Sequence, residues 1–93
     1  MSDRQIDIAL LEDEAVALGA PWHVILYNDD VHDFDEVVIQ VMKATGCSIK
    51  RAAEITLQAH TSGRAGAFQG DFEACFAVQR VLREIELVTE IRG

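Results

Sequence analysis

Residues 23–34, HVILYNDDVHDF, decide how this chain is read. The run WHVILY (22–27) is apolar and rich in strand formers, and Pro21, the only proline, introduces it. That pattern predicts a first strand. It stops at Asn28-Asp29-Asp30, passes through Val31, His32 and Asp33, and resumes apolar character at Phe34. Asn and Asp are ordinary turn residues. Three aspartates within six residues nevertheless repel one another, so a positively charged group is expected beside this turn.

Working outward, Phe34, Val37, Val38, Val41 and Met42 fall at helical spacing and predict a helix over 34–45. Asp33 followed by Glu36 has the form of a capping box. The break Gly46-Cys47-Ser48 supplies Ser48 as cap for a second helix over 49–61. Its inward stripe reads as Ile49, Ala52, Ala53, Thr56, Leu57 and His60, with Gly63 as terminator. RAGAFQ (64–69) predicts a small-residue strand. Gly70-Asp71 then turns into a helix over 72–85, capped by Asp71, with Phe72, Cys75, Val78, Leu82 and Ile85 inward. LVTEI (87–91) predicts a last strand with Leu87, Thr89 and Ile91 on one face. The order βααβαβ implies an α+β fold, a three-stranded sheet with helices covering one face. Residues 1–20 hold five acids and read as an acidic, loosely held arm, followed by one domain over 21–93.

The whole chain has 93 residues and a formal net charge of −8. The charge is uneven: residues 1–36 carry ten acids and one arginine, residues 37–93 six acids and seven bases. No basic face exists for phosphates, which argues against nucleic acid as a partner. The acidic half favours cationic ligands. No apolar run is long enough to span a bilayer, and the opening MSDRQID lacks the apolar core of a signal peptide. Cys47 and Cys75 fit no metal or redox spacing, so the expected setting is reduced and cytoplasmic.

His60 sits at the end of the second helix, where the first helix and the turn before it must pack. It is either a histidine satisfied within the core or a group facing Asn28 and the aspartates. Convergent acceptors of this kind suit a metal, with Asp29, Asp30, His32, Asp33 and His60 as possible ligands, but their spacing matches no metal motif. They suit an ammonium better, because it brings three donors and one charge and is costly to bury unpaired. A free protein N-terminus is such a group, with an ordinary pKa of about 7.7–8.0, and its capture is a known mode of peptide recognition. Phe34, Val37, Thr56 and Ala59 can cluster at the same end of the two helices, either as plain core or as the apolar part of a site. No nucleophile with a His and acid partner and no glycine-rich phosphate loop is present, which argues against an enzyme.

VILYNDDVHDFDEVV (24–38), AAEITLQAHTSGRA (52–65) and GDFEA (70–74) together resemble the ClpS adaptor family, and the ClpS-like domain of eukaryotic UBR-type ubiquitin ligases. The likeness runs from about Trp22 to Ile91. The resemblance implies a three-stranded antiparallel sheet with three helices. It also implies a non-enzymatic adaptor that binds the N-terminal residues of substrate proteins, the bulky ones, and hands them to the N-domain of a Clp-type AAA+ unfoldase. By that resemblance Asn28, Asp29 and His60 match the positions that hold the substrate α-amino group. Phe34 matches the gate of the side-chain pocket, usually methionine. Val37, Thr56, Ala59 and Leu87 match its walls, and Glu73 matches a contact to the unfoldase. Neither a cofactor nor a metal is implied, and a monomer is expected. The chain departs from the family pattern at Asp33, where Pro or Thr is usual, at Thr56 and Ala59, which are smaller than the common Met and Val, and at Val78, where a lysine is expected and for which Arg80 is the nearest substitute. A regulator that binds an unfoldase without holding substrates is the rival within the family, and a small metal-dependent hydrolase is the rival outside it.

Overall fold

The structure, a computed structural model, describes residues 22–93. The acidic arm assigned to residues 1–20 lies outside these. In order along the chain are β1 (Trp22–Tyr27), α1 (Phe34–Thr45), α2 (Ile49–Ser62), β2 (Arg64–Gly70), α3 (Phe72–Leu82), a 3₁₀ turn (Arg83–Ile85) and β3 (Thr89–Arg92). The strands form one antiparallel sheet in the order β2-β1-β3, so the first strand lies in the middle. This is the three-stranded α+β fold with three helices that the element order predicts.

Alternation along β1 sets the inner face. Val24 and Leu26 are fully buried while Ile25 and Tyr27 keep partial exposure. Opposite them β2 contributes Ala65 and Ala67, whose small side chains let helices lie close to the sheet. The register against β1 shifts between Val24, which faces Phe68, and Ile25, which faces Gly66. Such a bulge bends the strand where the sheet must wrap the helices. Val38 and Val41 of α1, Ala52 and Ile55 of α2, and Cys75, Val78 and Leu82 of α3 complete the core.

The caps form as read. Glu36 Oε1 accepts the Asp33 N–H at 3.0 Å, Ser48 Oγ accepts the Arg51 N–H at 3.1 Å, and Asp71 Oδ1 accepts the Ala74 N–H at 2.7 Å. Three inward stripes need correction. In α2 the buried residues are Ala52, Ile55, Thr56 and Ala59. Ile49 and Leu57 are exposed instead, and so is His60. The helix is turned by roughly a quarter turn from the stripe read in the sequence. It carries apolar residues on two faces, and the face that wins presents the alanines to the small residues of β2. In α1 Gln40 is buried although polar, because its Nε2 donates to the Val81 carbonyl at 2.6 Å and so pins the end of α3. At the start of α3, Phe72 is half exposed and packs edge-on to Trp22, with ring centroids 5.2 Å apart. The helix also stops at Leu82. The 3₁₀ turn follows, and Glu86 adopts a left-handed φ of 65° before the chain enters β3. Leu87 is thus carried into the core and is not itself part of the strand.

Candidate functional site

β1 ends where α1 and α2 come together, and a cavity of about 290 Å³ opens there. It is lined by Leu26, Tyr27, Asn28, Asp29, Asp30, His32, Phe34, Val37, Thr56, Ala59 and His60. The lining divides by chemistry. Val37, Thr56 and Ala59 are buried and form an apolar wall. Thr56 adds to that wall because its hydroxyl donates to the Ala52 carbonyl at 2.8 Å, which leaves its methyl as the unengaged part of the side chain. Phe34 is 44 % exposed and stands at the edge. Asn28, Asp29, Asp30, His32 and His60 supply the polar rim.

The polar rim is held by backbone geometry. Gly63 ends α2 with φ of 91°, and its carbonyl accepts the Asn28 N–H at 2.9 Å. That bond ties the end of β1 to the helix end that bears His60, which explains why residues over thirty positions apart in NDD and AHTSG share one cavity. A Cβ at Gly63 would meet nothing within 4 Å, so the constraint is the left-handed backbone alone. Gly63→Ala is therefore expected to cost about 1–2 kcal/mol, read as a lowered urea midpoint with unchanged slope.

Within the turn, Asn28 Nδ2 donates to Asp30 Oδ1 at 3.2 Å, which engages the amide nitrogen and leaves the Asn28 oxygen as an acceptor. Asp29 Oδ2 accepts the His32 backbone N–H at 2.7 Å and lies 2.6 Å from His32 Nδ1. Burial by itself pushes the Asp29 carboxyl up. The His32 N–H, the His32 ring and the Val31 N–H together outweigh it and hold the group below the usual carboxylate range. The folded value lies below the unfolded one, so Asp29 adds stability above the ordinary carboxylate pKa. That contribution is lost as pH falls through the lowered folded value. At neutral pH the turn therefore presents a fixed negative charge.

Of the residues singled out from the sequence, Asn28, Asp29, His60, Phe34, Val37, Thr56 and Ala59 come together in this cavity. Leu87 does not join them: it is 2 % exposed and belongs to the closed core. Glu73 lies elsewhere, exposed in the first turn of α3, where the helix dipole favours an acid. Val78 is buried, whereas Arg80 is exposed in the last turn of the same helix. His32 entered the sequence reading only as a possible metal ligand. The spacing Asp29-x-x-His32, a turn aspartate whose side chain meets the backbone N–H three residues on, is the signal that would have marked it as Asp29's partner. Among the described residues, no group of three or more His, Cys, Asp or Glu is arranged to hold a metal ion.

The cavity sits on a small α+β domain, and comparison with known proteins supplies the family. Residues 19–87 match the family described as ATP-dependent Clp protease adaptor protein ClpS, and the chain belongs to it. It is 36 % identical over 77 residues to the ClpS adapter of Vibrio cholerae, covering 81 % of this chain and 71 % of that one. It is 29 % identical over 69 residues to the human E3 ubiquitin-protein ligase UBR2, covering 74 % of this chain but only 4 % of the ligase. The fold superposes on Agrobacterium tumefaciens ClpS2 bound to L-phenylalaninamide with a TM-score of 0.69. That match covers 77 % of this chain and 96 % of the other at 16 % identity. No helix among the described residues is long and apolar enough to cross a membrane.

Proposed function

We propose that the chain is a non-enzymatic adaptor that binds the free α-amino group and bulky hydrophobic side chain of a substrate's N-terminal residue, and delivers that substrate to a Clp-type AAA+ protease. The observation that carries this reading is the division of the cavity into an apolar wall and an acceptor-rich rim. An ammonium needs the rim, and an apolar side chain needs the wall. In this reading Asn28, Asp29 and His60 receive the ammonium, Phe34 gates the pocket, and Val37, Thr56 and Ala59 line it. Leu87 contributes only as a member of the core cluster that also holds Val37 and Ala59. The cavity lies at the small end of ligand sites, which run about 300–1,000 Å³, so it suits one residue rather than a longer peptide. Support also comes from the relative that holds L-phenylalaninamide, a molecule with a free α-amine and a benzyl side chain.

Delivery rests on Glu73, which is exposed on α3 and away from the cavity, so a partner's N-domain and a substrate can be held at once. The adaptor acts as a cytoplasmic monomer in this reading, without a metal. The experiment is a calorimetric titration with peptides that differ only in their first residue. Phe and Leu at position 1 should bind and Gly or Asp should not. Uniform affinity across the series would leave the chain as a regulator of an unfoldase that holds no substrate.

A further inference from the structure

We propose that His32 is a positioning residue of this site, holding the Asp29 carboxylate in the one orientation that keeps an oxygen lone pair aimed at the incoming ammonium. The proposal rests on the cavity being an α-amine site. Asp29 Oδ2 accepts from the His32 backbone and lies against the His32 ring, at 2.7 and 2.6 Å. An approach that short between a ring nitrogen and a carboxylate places the proton on Nδ1 in both charge states of the imidazole, which fixes the tautomer. A carboxylate has about four acceptor positions, and both His32 donors fall on Oδ2, so Oδ1 keeps its own for a ligand.

Both members of the pair are shielded, with side-chain exposures of 19 % and 15 %. Among the described residues, the Asn28 side chain has only one exposed bond of 3.2 Å, from its amide to Asp30. Asp29 is therefore the side chain of the turn that is fixed before any ligand arrives. Fixing acceptors in advance spares the binding step the entropy of ordering them. The backbone N–H of residue 32 would suffice merely to close the turn. The ring adds a second bond to the same oxygen, and that bond is what an alanine at this position removes.

The test compares wild type with His32→Ala and His32→Asn. An asparagine amide N–H has the reach of Nδ1 and restores the bond without the ring. Two quantities are read. One is the titration midpoint of Asp29 itself, from its carboxyl carbon shift without peptide; this keeps the signal apart from Asp30 and Asp33 in the turn, Tyr27 on β1 and His60 on α2, which face the same region. The other is affinity for a peptide beginning with Phe at neutral pH. In His32→Ala the Asp29 midpoint should rise and affinity should fall about tenfold, the worth of one hydrogen bond to a charged group. In His32→Asn both should return most of the way to wild type.

An unmoved midpoint or an unchanged affinity in His32→Ala overturns the proposal, as does an asparagine variant that tracks alanine in both. If wild type binds no such peptide, the amine-site reading itself falls. A midpoint that still rises in His32→Ala would then identify His32 as an anchor of the turn only.

Discussion

Acetylating the N-terminus of a peptide that begins with phenylalanine should weaken its binding by more than about 2 kcal/mol, the loss expected when hydrogen bonds to a buried charge are removed. The modification leaves the side chain untouched, so the apolar contribution, about 1.5–3 kcal/mol for a buried Phe, is retained. It removes the charge and all but one of the three ammonium donors, and sets an acetyl group against the carboxylate of Asp29. Asp29 stays ionised at neutral pH because burial, which raises its carboxyl, is outweighed chiefly by His32, which holds it below the usual carboxylate range, so the rim cannot relieve the mismatch by taking up a proton. Salt should weaken this binding less than it weakens an exposed ion pair, since screening acts mainly on charges in solvent and the Asp29 side chain is only 15 % exposed. Isothermal titration of the free and acetylated peptides measures the difference directly. Equal affinities would remove the ammonium from the site and with it the reading of the cavity.

The same turn shows what the sequence carried and what it did not. Charge crowding in NDDVHD raised the expectation of a cation. The element order yielded the sheet and its three helices, because the helix starts (Asp33, Ser48 and Asp71) and two helix ends (Gly46 and Gly63) are marked by local chemistry; the end of α3 at Leu82 carries no such mark. The convergence of His60 with Asn28 was less local. It depends on the bond from the Asn28 N–H to the Gly63 carbonyl, which no periodicity reveals. The rotation of α2 was missed for a similar reason. Ile49, Ile55 and Leu57 offer two apolar faces, and only the fit of Ala52 and Ala59 against a strand of alanines chooses between them. The burial of Gln40 was not part of the sequence reading, because its partner, the Val81 carbonyl, is forty-one positions away. His32 was legible in principle, three residues from Asp29, but a histidine among aspartates suggests a ligand sphere before it suggests a brace. Family resemblance contributed roles for residues. It did not supply their geometry, and Leu87 illustrates the difference: matched to a pocket wall, it is buried in the core and does not line the cavity.

Thr56 and Ala59 should make the pocket tolerant of β-branched N-terminal residues, and Thr56→Met should reverse that tolerance. Both wall residues are buried, at 5 % and 4 % exposure, so their size sets the space beside a ligand's β-carbon. The Thr56 hydroxyl is spent on the Ala52 carbonyl, so the wall stays apolar despite the threonine. A methionine there is longer by two heavy atoms and flexible, and it would fill the space that the second β-substituent of Ile or Val occupies. Leucine branches one carbon further out and should be affected less. Differences of a methylene in an apolar pocket are worth about 1–3 kcal/mol, so wild type should bind Leu and Ile peptides within roughly tenfold of each other, and Thr56→Met should widen the gap by about tenfold or more. Phe34 works in the opposite direction. It is half exposed at the edge of the cavity, and an aromatic ring leaning inward would favour Phe, Tyr and Trp through edge-to-face packing worth about 0.5–1.5 kcal/mol. That term acts between ligand classes, aromatic against aliphatic, whereas Thr56 acts between branching patterns within the aliphatics. Measuring Phe, Leu, Ile and Val peptides on wild type, Thr56→Met and Phe34→Met therefore separates the two residues. A Leu-to-Ile ratio that does not move in Thr56→Met would show that Thr56 does not face the bound side chain.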